Sequence, residues 1–281
     1  MAQGESLQLG SKLQSALQHQ AGHRAILAVG SGKGGVGKTT VSVNLAVALA
    51  RTSAKVGLLD ADVYGPNVPL MLGNPKLPPL HDNQLVPAEA HGVKIMSMGF
   101  LLKDDEPVVW RGPMLHGVIQ KFLKEVLWGP LDYLIIDLPP GTGDVQLTLS
   151  QTIPVTGAVV VTTPQDVALL DVRKAMAMFD KVRVPIVGIV ENMSTFVCPS
   201  CRTETPIFRH GGGRAAAERA KVPFLGEVPL VPSVCEQGDA GVPIVAAQPE
   251  SAPAKAFTEI ARQVAARAGE LAQGQPQFVG L

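Results

Sequence analysis

Aromatic side chains are scarce: two Trp, two Tyr and eight Phe make up 4% of 281 residues. A core without large rings must be filled by Val, Ile, Leu, Ala and Met, a composition suited to buried parallel strands covered by helices. Neither sign of charge is in excess, with 24 Lys plus Arg against 24 Asp plus Glu. No long-range field then steers the chain to nucleic acid or an anionic membrane, and any polyanion must be caught by a local site. Runs of eighteen apolar residues are absent, and residues 1–24 lack the apolar centre of a signal peptide, so a soluble protein without membrane insertion is expected. Three cysteines, two of them in Cys198-Pro199-Ser200-Cys201, exclude a disulfide framework and fit a reducing compartment. The expected location is cytoplasmic, or the mitochondrial matrix if a presequence has been removed.

What is present is alternation. Apolar runs at Ala25 to Val29, Lys55 to Leu59, Lys94 to Phe100, Tyr133 to Ile136, Ala158 to Thr162, Ile186 to Val190 and Phe224 to Val228 read as buried strands. Between them, Thr40 to Arg51, Trp110 to Leu127 and Val167 to Val182 read as helices, with another ending near Ala220 and a terminal one from Pro253 to Leu271. Strands alternating with helices imply right-handed crossovers: an α/β fold with a mostly parallel twisted sheet flanked by helices. The expected organisation is a flexible tail (1–24), one domain (25–271) and a disordered tail (272–281).

Gly32-Lys33-Gly34-Gly35-Val36-Gly37-Lys38-Thr39 satisfies the G-x-x-x-x-G-K-[ST] pattern between a strand and a helix that begins with Thr40. The glycines let successive N–H groups converge on phosphate oxygens, and the helix start adds its positive dipole end. In that reading Lys38 neutralises the β- and γ-phosphates of ATP, and Thr39 coordinates Mg²⁺. Asp137, closing the strand that starts at Tyr133, is the expected second Mg²⁺ ligand. Pro139-Pro140-Gly141-Thr142-Gly143-Asp144 follows as a turn suited to sensing the γ-phosphate. Asp60 and Asp62 close the second strand; Asp62 is assigned to the attacking water, and Asp60 to shaping the loop or the Mg²⁺ shell.

Cys198 and Cys201 supply two thiolates, whereas a [4Fe-4S] cluster or a structural zinc takes four ligands. One chain cannot complete such a site, but a two-fold dimer supplies the pair twice on its axis. The residues alone leave three readings open: a bridging cluster, a bridging zinc, or a redox dithiol. Cys235 reads as a small buried apolar residue, and His210 as a surface or capping residue.

With Lys33 in the loop, Asp60-Ala61-Asp62, and Asp137 to Asp144 in order, the chain resembles the deviant Walker-A P-loop ATPases. Trp110-Arg111-Gly112-Pro113-Met114, Thr163-Pro164-Gln165-Asp166, Glu191-Asn192-Met193-Ser194, the cysteine pair and Ile207-Phe208 narrow the likeness to the Mrp/ApbC-type iron-sulfur cluster carriers, over roughly residues 25 to 265. That resemblance implies a slowly hydrolysing ATPase that binds a bridging [4Fe-4S] cluster as a homodimer and passes it to apo iron-sulfur proteins. By position, Lys33 would reach the partner protomer's phosphates, Asn192 would meet the adenine edge, and Cys198 and Cys201 would ligate the cluster. Arg202 stands where glycine is common in that family, and the extra small domain that many bacterial members carry before the ATPase is not expected here. Two other readings are a positioning ATPase of the partitioning class, acting on membrane or DNA, and a zinc-bridged dimer. The near-balanced charge of the terminal helix speaks against the first.

Overall fold

The apolar runs of the sequence become strands, and alternate residues of the central ones, buried on both faces, feed two separate cores. The computed structural model describes residues 25–81, 84–101, 112–143, 146–148, 150, 153–201 and 203–274. Trp110, Arg111, Asp144, Arg202, the first 24 residues and residues 275–281 lie outside them.

Strands β1 (Ala25–Ser31), β2 (Val56–Asp60), β3 (Ala88–Ala90), β4 (Val93–Ser97), β5 (Tyr133–Asp137), β6 (Gly157–Thr162), β7 (Ile186–Val197), β8 (Glu204–Thr205) and β9 (Phe224–Leu230) form one sheet. Its order is β3-β4-β2-β5-β1-β6-β7, with both β8 and β9 paired to β7. The pairings from β4 through β9 are parallel, except that β8 runs antiparallel to β7, as β3 does to β4 at the other edge. The mostly parallel sheet expected from the alternation is what forms.

The helices are α1 (Lys38–Ala50), α2 (Val68–Met71), α3 (Gly112–Lys124), α4 (Asp166–Lys181), α5 (Gly212–Ala220), α6 (Pro232–Asp239), α7 (Ile244–Ala247) and α8 (Ala252–Gly274). Leu27, Val29, Leu58, Ile135 and Val159 pack on one face against α1 and against Phe257, Ile260 and Val264 of α8. Ile26, Ala28, Leu59, Ile136 and Val160 pack on the other face against Ile119 and Phe122 of α3 and Val172 and Phe179 of α4. This period of two is the pleat dividing one strand between two helical layers.

Several boundaries depart from the sequence expectation. β7 runs on to Val197 where a loop is expected beyond Met193, because β8 and β9 supply partners for its distal half. Lys94 to Phe100 is strand only to Ser97, after which Met98–Leu101 turns as a 3₁₀ helix. The terminal helix continues to Gly274, past the expected end at Leu271.

Candidate functional site

The parallel sheet brings the ends of β1, β2, β5 and β7 to one edge, so segments far apart in sequence meet there. Asp60 and Asp137 are register partners on β2 and β5, and Val29 of β1 pairs with Asp137 two residues before β1 ends. The loop from Gly32 to Gly37 leaves β1 and enters α1, with left-handed backbone at Gly35 and Gly37 (φ 77° and 78°) that a side chain would strain.

Fully buried Asp137 is the centre of a polar network. Its Oδ2 accepts from Lys38 Nζ and from Thr39 Oγ1, each at 2.8 Å, and its Oδ1 accepts from Ser42 Oγ at 2.6 Å. Lys38 also lies 3.4 Å from Asp62 Oδ2. Burial alone would push the Lys38 pKa down, but Asp137, with Asp62 and Asp60 behind it, more than offsets this and leaves it above the ordinary lysine value. The ammonium is therefore held charged inside a low-dielectric site.

The two remaining acids differ. Asp60 is wholly buried and accepts from Ser97 Oγ at 2.8 Å and from the N–H groups of Asp62 (3.1 Å) and Val68 (3.2 Å). Burial first, and the Asp137 charge second, push its carboxyl up to about 7. Asp62 is also raised by burial, against the pull of Lys38. Its Oδ1 accepts from Tyr64 N–H at 3.1 Å, which fixes the turn after β2.

Lys33 does not join Asp137. Its Nζ donates to Gln165 Oε1 at 3.1 Å, at the start of α4. Asn192, near the middle of β7, donates its amide to the Val36 carbonyl at 2.9 Å, and a Cβ at Gly37 would fall 2.2 Å from that nitrogen. The first glycine is as tightly held: a Cβ on Gly32 would lie 2.2 Å from the Asp171 carbonyl oxygen of α4. So β7 and α4 brace the loop from opposite ends.

The cysteine pair lies further along β7, six residues past Asn192, or about 20 Å of extended chain. Cys198 N–H donates to the Thr203 carbonyl at 3.0 Å, closing the loop between β7 and β8. Cys201 is exposed, its sulfur 3.2 Å from Thr203 Oγ1. That hydroxyl, then the Thr203 backbone and the Cys198 side chain, lower the Cys201 thiol to about 7, so much of it is thiolate at neutral pH. Beside the loop, buried Glu191 accepts from the Gly211 N–H at 3.0 Å and from Gly213 N–H, tying the start of α5 to β7. His210 is a surface residue 3.0 Å from Glu227 Oε2.

Cys235 corrects the sequence expectation. It is exposed on α6, because that short helix turns it away from the core toward Asp239, which pushes its thiol pKa up. Ser42, Ser97 and Gln165 are the site residues that sequence reasoning missed. Ser42 carried a local signal, standing one helical turn after Lys38 and Thr39 on the same face, and Gln165 lay within the Thr163 to Asp166 segment that supported the family likeness.

A phosphate-type loop after β1, an invading lysine and acids at the ends of β2 and β5 define a P-loop NTPase of the ParA and MinD fold. The NUBPL iron-transfer P-loop NTPase model of the ParA group matches residues 22–265, and the chain belongs to that family. An iron-sulfur cluster carrier protein of Synechocystis is 56% identical over 248 residues, 86% of this chain and 70% of that one. The mouse iron-sulfur cluster transfer protein NUBPL is 52% identical over 251 residues, 88% of this chain and 78% of its own. Among solved structures, an Archaeoglobus fulgidus nucleotide-binding protein in complex with ADP superposes with TM-score 0.72 at 40% identity, covering 81% and 90% of the two chains. The Pyrococcus furiosus cell division ATPase MinD superposes at 0.64 with 27% identity, covering 85% and 98%. No helix among the described residues is long and apolar enough to cross a membrane.

Proposed function

We propose that this chain is an ATP-driven iron-sulfur cluster carrier, which binds a [4Fe-4S] cluster between two copies of itself and passes it to apo-proteins. The fold is shared with positioning ATPases such as MinD and does not choose between the two activities. The single observation that carries the choice is the exposed Cys198–Cys201 loop at the end of the strand that also braces the phosphate loop. Two soft thiolates from each protomer complete the four ligands a cluster takes.

Lys38 and the N–H groups of residues 32–37 hold the phosphates of ATP, and the lysine charge moves from Asp137 to the γ-phosphate. Thr39 and Asp137 present hard oxygens from adjoining positions and fit Mg²⁺, which would supply charge neutralisation between the β- and γ-phosphates. Asp62, freed of Lys38, orients the attacking water. Lys33 leaves Gln165 to reach the nucleotide of the facing protomer, so hydrolysis requires the dimer. Asn192 keeps the loop in register with β7 and places its carbonyl oxygen toward the base. Because β7 joins Asn192 to Cys198, the nucleotide state changes how two cysteine pairs face each other, and slow hydrolysis serves as the release switch.

The test is anaerobic reconstitution with iron and sulfide of the unmodified chain, Cys198→Ala and Cys201→Ala. The carrier reading expects iron and sulfide to be lost from both variants and kept by the parent; equal retention in all three removes it.

A further inference from the structure

α4, which braces the phosphate loop, and α5, tied to β7 by Glu191, leave a groove between them. Leu169, Arg173 and Met176 of α4 stand at i, i+4 and i+7, one stripe, and face Ala216, Arg219 and Ala220 of α5 across a pocket of about 170 Å³. Gly212 sets their closest approach at one end, where an added Cβ would fall 2.8 Å from Leu169 Cδ1 and 2.9 Å from the Pro164 carbonyl oxygen. We propose that this groove docks an acidic protein segment that inserts one large apolar side chain, borne by a partner that exchanges clusters with this chain.

Size, charge and surroundings support that occupant. A cavity of about 150 Å³ accepts a benzene ring, so this pocket holds a single Phe or Leu side chain and is too short for an acyl chain. Met176 can adjust its unbranched side chain to either shape. Arg173 and Arg219 edge the pocket, and among the described residues no carboxylate pairs with either. By contrast, Lys174 is paired with Asp171 and Arg209 with Asp166. Two unmatched guanidinium groups at an apolar pocket favour carboxylates flanking the inserted side chain.

The groove is also placed to sense both sites. α4 begins beside Gln165, the partner of Lys33, and its Asp171 backbone touches Gly32. α5 begins at the glycines held by Glu191 and follows the cysteine loop after the short strand β8. A side chain wedged between the helices therefore acts on the phosphate loop and the cysteine loop together. That the partner is a cluster-exchanging protein rests on the carrier reading, whereas the chemistry of the groove does not.

The probe is a fluorescein-labelled peptide with one phenylalanine flanked by glutamates, titrated into the full chain and followed by anisotropy. Binding that weakens with salt is expected, about tenfold or more weaker in the double variant Arg173→Glu/Arg219→Glu. Ala216→Trp, which fills the pocket, is expected to abolish it, and a probe with lysines for glutamates should not bind. The charge-reversed variant should retain ATP binding and cluster loading, since Arg173 and Arg219 touch neither site, and should slow cluster delivery to an apo-protein. No binding by the unmodified chain, equal binding by the charge-reversed variant, or tighter binding of free decanoate at this groove than of the peptide would each overturn the proposal. If the cysteine variants keep their iron while the groove results hold, the carrier reading fails and the docking groove stands.

Discussion

Asp60 shares the site with Asp137 and Asp62, yet it is the acid whose charge the surroundings tolerate least. It is fully buried, beside Asp137, with three hydrogen bonds that only partly offset the loss of water. Its folded pKa of about 7 lies above the usual aspartate value near 3.9, so the folded state holds the proton more tightly than the unfolded chain. The sign follows: its contribution to stability is complete below about pH 4 and is lost as the pH rises to about 7. In urea unfolding without nucleotide, the stability of the parent relative to Asp60→Asn should therefore fall by about 2 kcal/mol from pH 5 to pH 7. A difference that stays constant or grows over that range contradicts this account of the buried acid.

Among the elements, α8 joins the last third of the chain to the first. Phe257 is fully buried in the layer that α8 forms with α1 over the sheet. Phe257→Ala should cost about 3–5 kcal/mol in denaturant unfolding, with little effect on nucleotide affinity once folded. A loss below about 1 kcal/mol would mean that α8 is dispensable to the core. How far these elements could be read in advance depends on where their information lies. β1, α1 and β5 are written locally, as apolar runs bounded by glycine or acid, and they appear within a few residues of expectation. α6 and α7 were not legible, since Pro232, Gly238 and Pro243 punctuate a stretch with no sustained period. Nor was the far half of β7, whose partners β8 and β9 come later in the chain. The same contrast holds at the site. Lys38, Thr39, Asp62 and Asp137 stand out by motif, whereas Ser97 meets Asp60 across 37 residues and Gln165 meets Lys33 across 132, with nothing local to announce either contact. Cys235 misled because a free cysteine is usually buried, and only the facing of α6 decides otherwise.

At the scale of the whole molecule, one strand spans both chemistries. Asn192 is bonded to the phosphate loop, and Cys198 begins the cysteine loop just past the end of β7. Between them the pairing with β9 slips and Met193 takes a left-handed backbone (φ 56°). The family relationship fixes the class of chemistry; in the proposed reading, β7 carries the nucleotide contact at one end and the cysteine pair at the other. The most direct measurement is the mass of the anaerobically reconstituted protein in solution, taken together with its iron content, for the parent and Cys198→Ala. A shared cluster requires a dimer with about four iron per two chains, reverting to iron-free protein in the variant. A monomer that holds a full complement of iron by itself would contradict it.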